Sequence, residues 1–239
     1  MLKNIIVTGA SQGIGYQTVV ELSKICDAQF FVIARSHEKL LKLKDEIENS
    51  CNSKVLILES DINIDFENIC TKIILQLDNL ENKFIDILIN NAGMLINKSF
   101  TESNMNDWKN VFTTNLFAPA MIIKLLIPYF NHSVRTHIVN IGSMGGIQGT
   151  EKFPGLSVYS SSKGSLNILT ESLAVEMQNY NISVNAINPG TVDTEMLNQA
   201  FPGIQASVSA REMGKFIADF ALNNAKLMNG RIIQVSLRN

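Results

Sequence analysis

Seven short apolar runs, each separated from the next by a longer segment, set the tightest limit on how this chain can fold. The runs fall at 5–8, 30–34, 54–59, 85–90, 137–141, 183–188 and 231–235. Between them, helical patterns occupy about 13–25, 37–49, 65–79, 104–130, 158–180 and 208–223. Runs that are apolar at successive positions suit strands covered on both faces, and strand–helix alternation suits a parallel sheet. The pattern predicts an α/β fold: one doubly wound domain over 1–239, a seven-stranded parallel sheet with helices on both faces. No repeat, low-complexity tract or linker interrupts it.

Composition narrows the function classes. With 46% hydrophobic and 18% charged residues, the chain is too apolar for disorder and has enough material for a sizeable core. A net charge of −2 gives no reason to expect nucleic acid or an anionic membrane as partner. No apolar run reaches the ~18 residues of a membrane span, and Met1 to Val7 reads as a strand rather than a signal peptide. Cys26, Cys51 and Cys70 stand at no metal spacing and read as reduced core thiols of a cytoplasmic protein. His37, His132 and His137 do not cluster with acids, so no metal site is expected.

The first strand runs into Thr8-Gly9-Ala10-Ser11-Gln12-Gly13-Ile14-Gly15, and a helix follows. Glycines here let a backbone approach a pyrophosphate held at the helix N-terminus, where amides are unpaired. A tight turn with no ligand is the other reading. The second strand ends in Ala34-Arg35-Ser36. At an adenine-nucleotide site an acid at this tip binds the ribose diol and an arginine accommodates a 2′-phosphate. Arg35 favours NADP(H) over NAD(H); an ordinary solvent-facing arginine is the alternative. Asp61-Ile62 follows the third strand, placed to flank an adenine, and Asp65 suits the N-cap of the 65–79 helix.

The fourth strand leads into Asn90-Asn91-Ala92-Gly93. Asn115 lies among apolar neighbours in the next helical segment, which Pro119 and Pro128 should kink or end. A buried amide must bond something, and two readings stay open: a helix-bending asparagine with a buried water, or a functional group. After the sixth strand, Pro189-Gly190-Thr191-Val192-Asp193-Thr194 turns sharply off the sheet's carboxyl edge.

The chemistry concentrates between Ser143 and Lys163. Tyr159 and Lys163 are four apart, so a helix places phenol and ammonium on one face. A cation within about 4–6 Å favours the phenolate, bringing a tyrosine toward the range where a general acid works. Ser143 ends the fifth strand, and its hydroxyl is placed to polarise a carbonyl that Tyr159 protonates. Tyr-x-x-x-Lys alone recurs by chance; its weight comes from the motifs before it.

Taken in order, these motifs resemble those of the conventional, non-extended short-chain dehydrogenase/reductases over almost the whole length. The resemblance implies a Rossmann-type fold and a catalytic set of Asn115, Ser143, Tyr159 and Lys163. Tyr159 would be the acid or base, and Ser143 would orient the carbonyl. Lys163 would hold the nicotinamide ribose and lower the Tyr159 pKa, and Asn115 would hold a relay water. Cofactor contacts are expected from Gly9, Ser11, Gly13, Ile14, Gly15, Arg35, Ser36, Asp61, Ile62, Asn91, Ala92 and Gly93. Pro189, Gly190, Thr191 and Thr194 complete that set together with Tyr159 and Lys163, with Thr194 at the carboxamide.

The function implied is NADP(H)-dependent reduction of a ketone, aldehyde or 3-oxoacyl group. The alternatives are an NAD(H)-dependent alcohol dehydrogenase and a cofactor-binding regulator with little catalysis. The small-molecule substrate would sit under a short lid at about 191–210. Met94, Leu95, Met144, Ile147, Phe153, Leu156, Met196 and Phe201 would surround it, which favours an uncharged apolar carbonyl compound. A homodimer or homotetramer is expected. Two departures stand out: Gln12 replaces a basic residue, leaving Arg35 as the lone cation, and Val235-Ser236-Leu237-Arg238-Asn239 replaces a terminal Asp-Gly-Gly.

Overall fold

The computed structural model describes residues 2–236; the terminal departure at 237–239 lies outside them. Seven parallel strands form the sheet: β1 (Lys3–Thr8), β2 (Ala28–Ala34), β3 (Lys54–Glu59), β4 (Ile87–Asn90), β5 (Thr136–Ile141), β6 (Ile182–Pro189) and β9 (Ile232–Val235). Two-residue strands β7 (Val192–Asp193) and β8 (Val208–Ser209) pair separately. The sheet order β3-β2-β1-β4-β5-β6-β9 reverses direction between β1 and β4. In sheets of this kind ligands bind outside the carboxyl ends at that switch.

Successive strand residues feed two different cores, which is why the runs read as continuously apolar. Ile5, Val7, Phe30 and Val32 face α1 (Gly13–Ser23), α2 (His37–Ser50) and α8 (Ala210–Asn223). Ile6, Phe31 and Ile33 face α3 (Phe66–Asp78), α5 (Ala118–Leu126) and the end of α6 (Ser157–Glu176). Covered on both faces, the sheet is the doubly wound, Rossmann-like arrangement the alternation predicts.

Several local expectations change. The fourth strand begins at Ile87, because Asp86 turns its carboxylate onto the Asn4 N–H at 2.9 Å, while Ile85 makes an isolated bridge to Phe130. The single helix expected over 104–130 is divided into α4 (Met105–Phe112), a π-helical turn Thr113–Phe117, α5 and a 3₁₀ turn at Ile127–Tyr129. This run, Met105–Tyr129, is by length and composition apolar enough to cross a membrane, contrary to the reading of short apolar runs. In the fold its Val111, Ile122, Ile123 and Leu126 are buried. Asp65 does occupy the N-cap position of α3 but makes no capping bond; its carboxylate accepts from Asn68 at 2.7 Å instead. Of the cysteines only Cys70 is a core thiol, Cys26 and Cys51 being partly exposed.

Candidate active site

A cleft of about 870 Å³ opens along the carboxyl edge of the sheet. Its first end is made by the turn between β1 and α1. Gly9 has φ of +67° there, and a Cβ on it would lie 2.8 Å from the Ala92 Cα. Gly15 lies behind the turn and does not line the cleft; a Cβ on it would meet the Gly9 carbonyl oxygen at 2.4 Å and Asn91 Nδ2 at 2.3 Å. The Thr8 hydroxyl accepts the N–H groups of Asn91 (3.0 Å) and Ala92 (2.9 Å), and Asn91 Nδ2 donates back to the Thr8 and Gly9 carbonyls. The Asn91 amide therefore clamps the turn, a structural part, while its residue still borders the cleft with Ala92 and Gly93.

The N-terminus of α1 faces this cleft with Gln12 at the N-cap. No side chain caps it and no acid occupies its first turn, so its amides remain open to an anion. Ser11, Gly13 and Ile14 line the cleft beside it. Arg35, Ser36, Asp61 and Ile62 form the far wall. Among the described residues Arg35 is exposed and makes no ion pair or side-chain hydrogen bond. The Ser36 hydroxyl caps α2 by accepting from the Lys39 N–H at 3.4 Å. A second cation escaped the sequence reading: Lys39 donates to Gln12 Oε1 and pairs with Glu195 at 3.3 Å, so Arg35 is not alone at this end. Only the fold brings residues 12, 39 and 195 together.

The other end of the cleft gathers Ser143, Tyr159 and Lys163. Ser143 follows β5; its N–H donates to Asn188 Oδ1 at 2.9 Å and its Oγ accepts from Gly145 at 3.2 Å. Lys163 is 3% exposed, with Nζ 6.0 Å from the centre of the Tyr159 ring and donating to the Ile141 carbonyl at 2.7 Å. Burial pushes its ammonium down to about 8. The expected lowering of the Tyr159 phenol by Lys163 is not found. Burial pushes the phenol above its ordinary value, opposed by hydrogen bonding to Ser143. The helix does align the pair, but loss of water weighs on both partners more than their attraction relieves.

Asn115 does not line the cleft. It is fully buried in the π turn, where Oδ1 accepts from the Met94 N–H (2.7 Å) and Nδ2 donates to the Met94 carbonyl (2.9 Å) and Ser162 Oγ (2.9 Å). Its side chain is thus satisfied by a neighbouring peptide. Pro119, four residues on, has no N–H to offer its main-chain carbonyl. The Ala118 N–H already reaches five residues back, to Thr113.

Pro189, Gly190, Thr191 and Thr194 line the cleft where β6 ends. The Thr194 hydroxyl, expected at a carboxamide, caps α7 (Glu195–Ala200) by accepting from the Leu197 N–H at 3.2 Å. The lid thus contains a helix the sequence did not suggest. It is tied down where Asn97 Nδ2 donates to the Ala200 carbonyl at 2.7 Å and where Phe153 and Phe201 meet edge-on at 6.4 Å. Met94, Leu95, Met144, Leu156 and Met196 join these rings in the lining together with Ile204, whereas Ile147 lies outside it.

A doubly wound sheet with an open helix N-terminus, a serine and a tyrosine–lysine pair along one cleft defines a Rossmann-like oxidoreductase class. Residues 3–205 match the short chain dehydrogenase family, and the chain belongs to that family, whose members act on CH–OH and C=O groups. It is 32% identical over 204 residues to an NADP-dependent 3-hydroxy acid dehydrogenase of Schizosaccharomyces pombe, covering 84% of this chain and 76% of that one. It is also 32% identical over 195 residues to an L-xylulose reductase of Caenorhabditis elegans, covering 81% and 73%. A dehydrogenase/reductase from Sinorhizobium meliloti superposes with a TM-score of 0.86 at 26% identity, over 98% of this chain and 93% of the other.

Proposed function

We propose that this chain is an NADP(H)-dependent reductase of uncharged carbonyl compounds, working as one dinucleotide-binding domain with residues 191–210 as its lid. The observation that carries this reading is the continuity of one cleft from the open α1 N-terminus and Arg35 to Ser143, Tyr159 and Lys163. The donor set fits a dinucleotide: unpaired helix amides suit a pyrophosphate, and Arg35, with Lys39 behind Gln12, suits a 2′-phosphate. The NADP-dependent relative points the same way.

When bound, the nicotinamide supplies the hydride. The chain's own residues do the rest. Ser143, held by Asn188, orients the carbonyl oxygen. Tyr159, kept protonated by its buried setting, gives that oxygen a proton. Lys163, fixed by the Ile141 carbonyl, holds the ribose hydroxyls and keeps a positive charge near the phenolate that forms. Asn115 holds a water that returns a proton toward Lys163. The lid and its Phe153–Phe201 contact exclude solvent from the transfer.

The charged residues lining the cleft are Arg35, Asp61, Lys163 and Glu195. Lys163 alone among the cations lies near the reacting end, and in this reading it is committed to the ribose hydroxyls, so nothing there clamps a carboxylate. The reading therefore departs from the hydroxy acid named for the S. pombe relative. A homodimer or homotetramer is part of it, resting on exposed Phe117, Leu125, Ile168 and Val175 along α6 and the segments near it. The test is NADPH consumption with aromatic ketones, diketones, a 3-oxoacyl thioester and short keto acids. Turnover of the neutral carbonyls is expected; fast turnover confined to a charged keto acid would overturn the substrate class.

A further inference from the structure

At the opposite, amino edge of the sheet, two cysteines from different crossovers come together. Cys26 lies two residues before β2, and Cys51 is the C-cap residue of α2, three residues before β3. The β2–β3 ladder pairs Gln29 with Lys54, and the Ala28 N–H donates to Ser53 Oγ at 3.1 Å one step earlier. Cys26 and Cys51 stand just before these paired strand ends, near enough for a charge on Cys51 to act on the Cys26 thiol. The two strands they lead into lie about 4.8 Å apart, and a disulfide accepts Cα separations of about 4.4–6.8 Å.

The surroundings agree. Each thiol donates to the carbonyl four residues before it, Cys26 to Leu22 and Cys51 to Ile47. Both pack against the same core and both line one surface hollow with Ser23, Glu46 and Ser50. Cys70 is 2% exposed and belongs to the core on the other face of the sheet. The three cysteines thus divide into a neighbouring, partly exposed pair and a buried single thiol.

We propose that Cys26 and Cys51 form a redox-closable dithiol, oxidised to an intramolecular disulfide by a small-molecule disulfide. The Cys51 thiolate attacks one sulfur of the oxidant, forming a mixed disulfide and releasing one thiol. The Cys26 thiolate then attacks Cys51 Sγ and expels the second. Two protein S–H bonds are oxidised to one S–S bond, while the oxidant's S–S bond is reduced to two thiols. Burial pushes the Cys26 thiol up, with Lys3 opposing and Asp27 and Cys51 adding, which assigns it the second step. The closed bond staples the C-terminal ends of α1 and α2 behind the cofactor turn. The reacting groups lie at the other sheet edge and are left untouched.

The experiment treats the purified full chain with oxidised glutathione at mildly alkaline pH. Remaining thiols are then alkylated under denaturing conditions, and intact and peptide masses are read without reduction. The expected result is a monomer lighter by two hydrogens, with a Cys26–Cys51 cross-linked peptide and one alkylated cysteine, Cys70. Cys51→Ser and Cys26→Ser, checked for folding by circular dichroism, should give a single glutathione adduct or none, and no internal cross-link. Wild-type protein carrying two separate adducts, an intermolecular disulfide, or three alkylated cysteines would overturn the proposal.

Discussion

Lowering the pH should destabilise this protein through one residue far from the cleft, His137. Its ring is 1% exposed on β5; Nδ1 contacts the Ala221 carbonyl at 2.9 Å and Nε2 contacts Asn185 Nδ2 at 2.9 Å. A carbonyl on one side and an amide donor on the other fix the neutral tautomer that carries its proton on Nδ1. A second proton would set two donors against each other in a buried site. Burial accordingly pushes His137 down to about 4 from an ordinary 6.5. Between these values the unfolded chain binds the proton and the folded chain does not. Stability is therefore fully present above about pH 6.5 and is lost as pH falls toward 4. The shift corresponds to roughly 3 kcal/mol in total, about 2 of it gone by pH 5. Urea unfolding of wild type and His137→Gln, an amide able to satisfy both partners, isolates this term from other titrations. The wild-type stability should fall relative to the variant by about 2 kcal/mol between pH 7.5 and 5. Parallel curves over that range would refute the reasoning.

Two predictions concern the cleft. Arg35→Glu should reverse a preference for NADPH over NADH, since a charged contact is worth roughly 1.5–3 kcal/mol, about 10- to 150-fold; equal wild-type use of both cofactors would show that Arg35 serves solvent. NADPH binding should weaken as pH rises through about 8, where Lys163 loses its charge, and Lys163→Met should weaken binding at neutral pH and abolish that step; a step unchanged in the variant would assign it elsewhere.

The parts legible in the sequence were those set by neighbours in the chain. Ile5 to Thr8 and Val55 to Leu58 announce strands through their own apolar side chains, and Gly9 to Gly15 announce the turn. Tyr159 and Lys163 share a helix, so their alignment follows from spacing alone. What depended on distant partners was hidden. His137 is satisfied by Ala221 and Asn185, Lys39 by Gln12 and Glu195, and Asn115 by Met94, all residues brought close only by the fold. The direction of the Tyr159 shift was missed for the same reason: spacing shows the nearby cation, but not how completely water is removed from both groups. Thr194 lines the cleft, and its added role as the cap of α7 depends on a helix too short to show a period.

The central claim is that Tyr159 gives the proton while the rest of the cleft holds the cofactor. Tyr159→Phe removes one hydroxyl and keeps the ring against Lys163. The direct measurement is single-turnover NADPH oxidation by this variant, beside NADPH binding followed by fluorescence. The account predicts near wild-type binding and a reduction rate lower by about 10²–10⁴, the loss typical of a missing acid–base group. Retention of most of the wild-type rate with unchanged binding would contradict it.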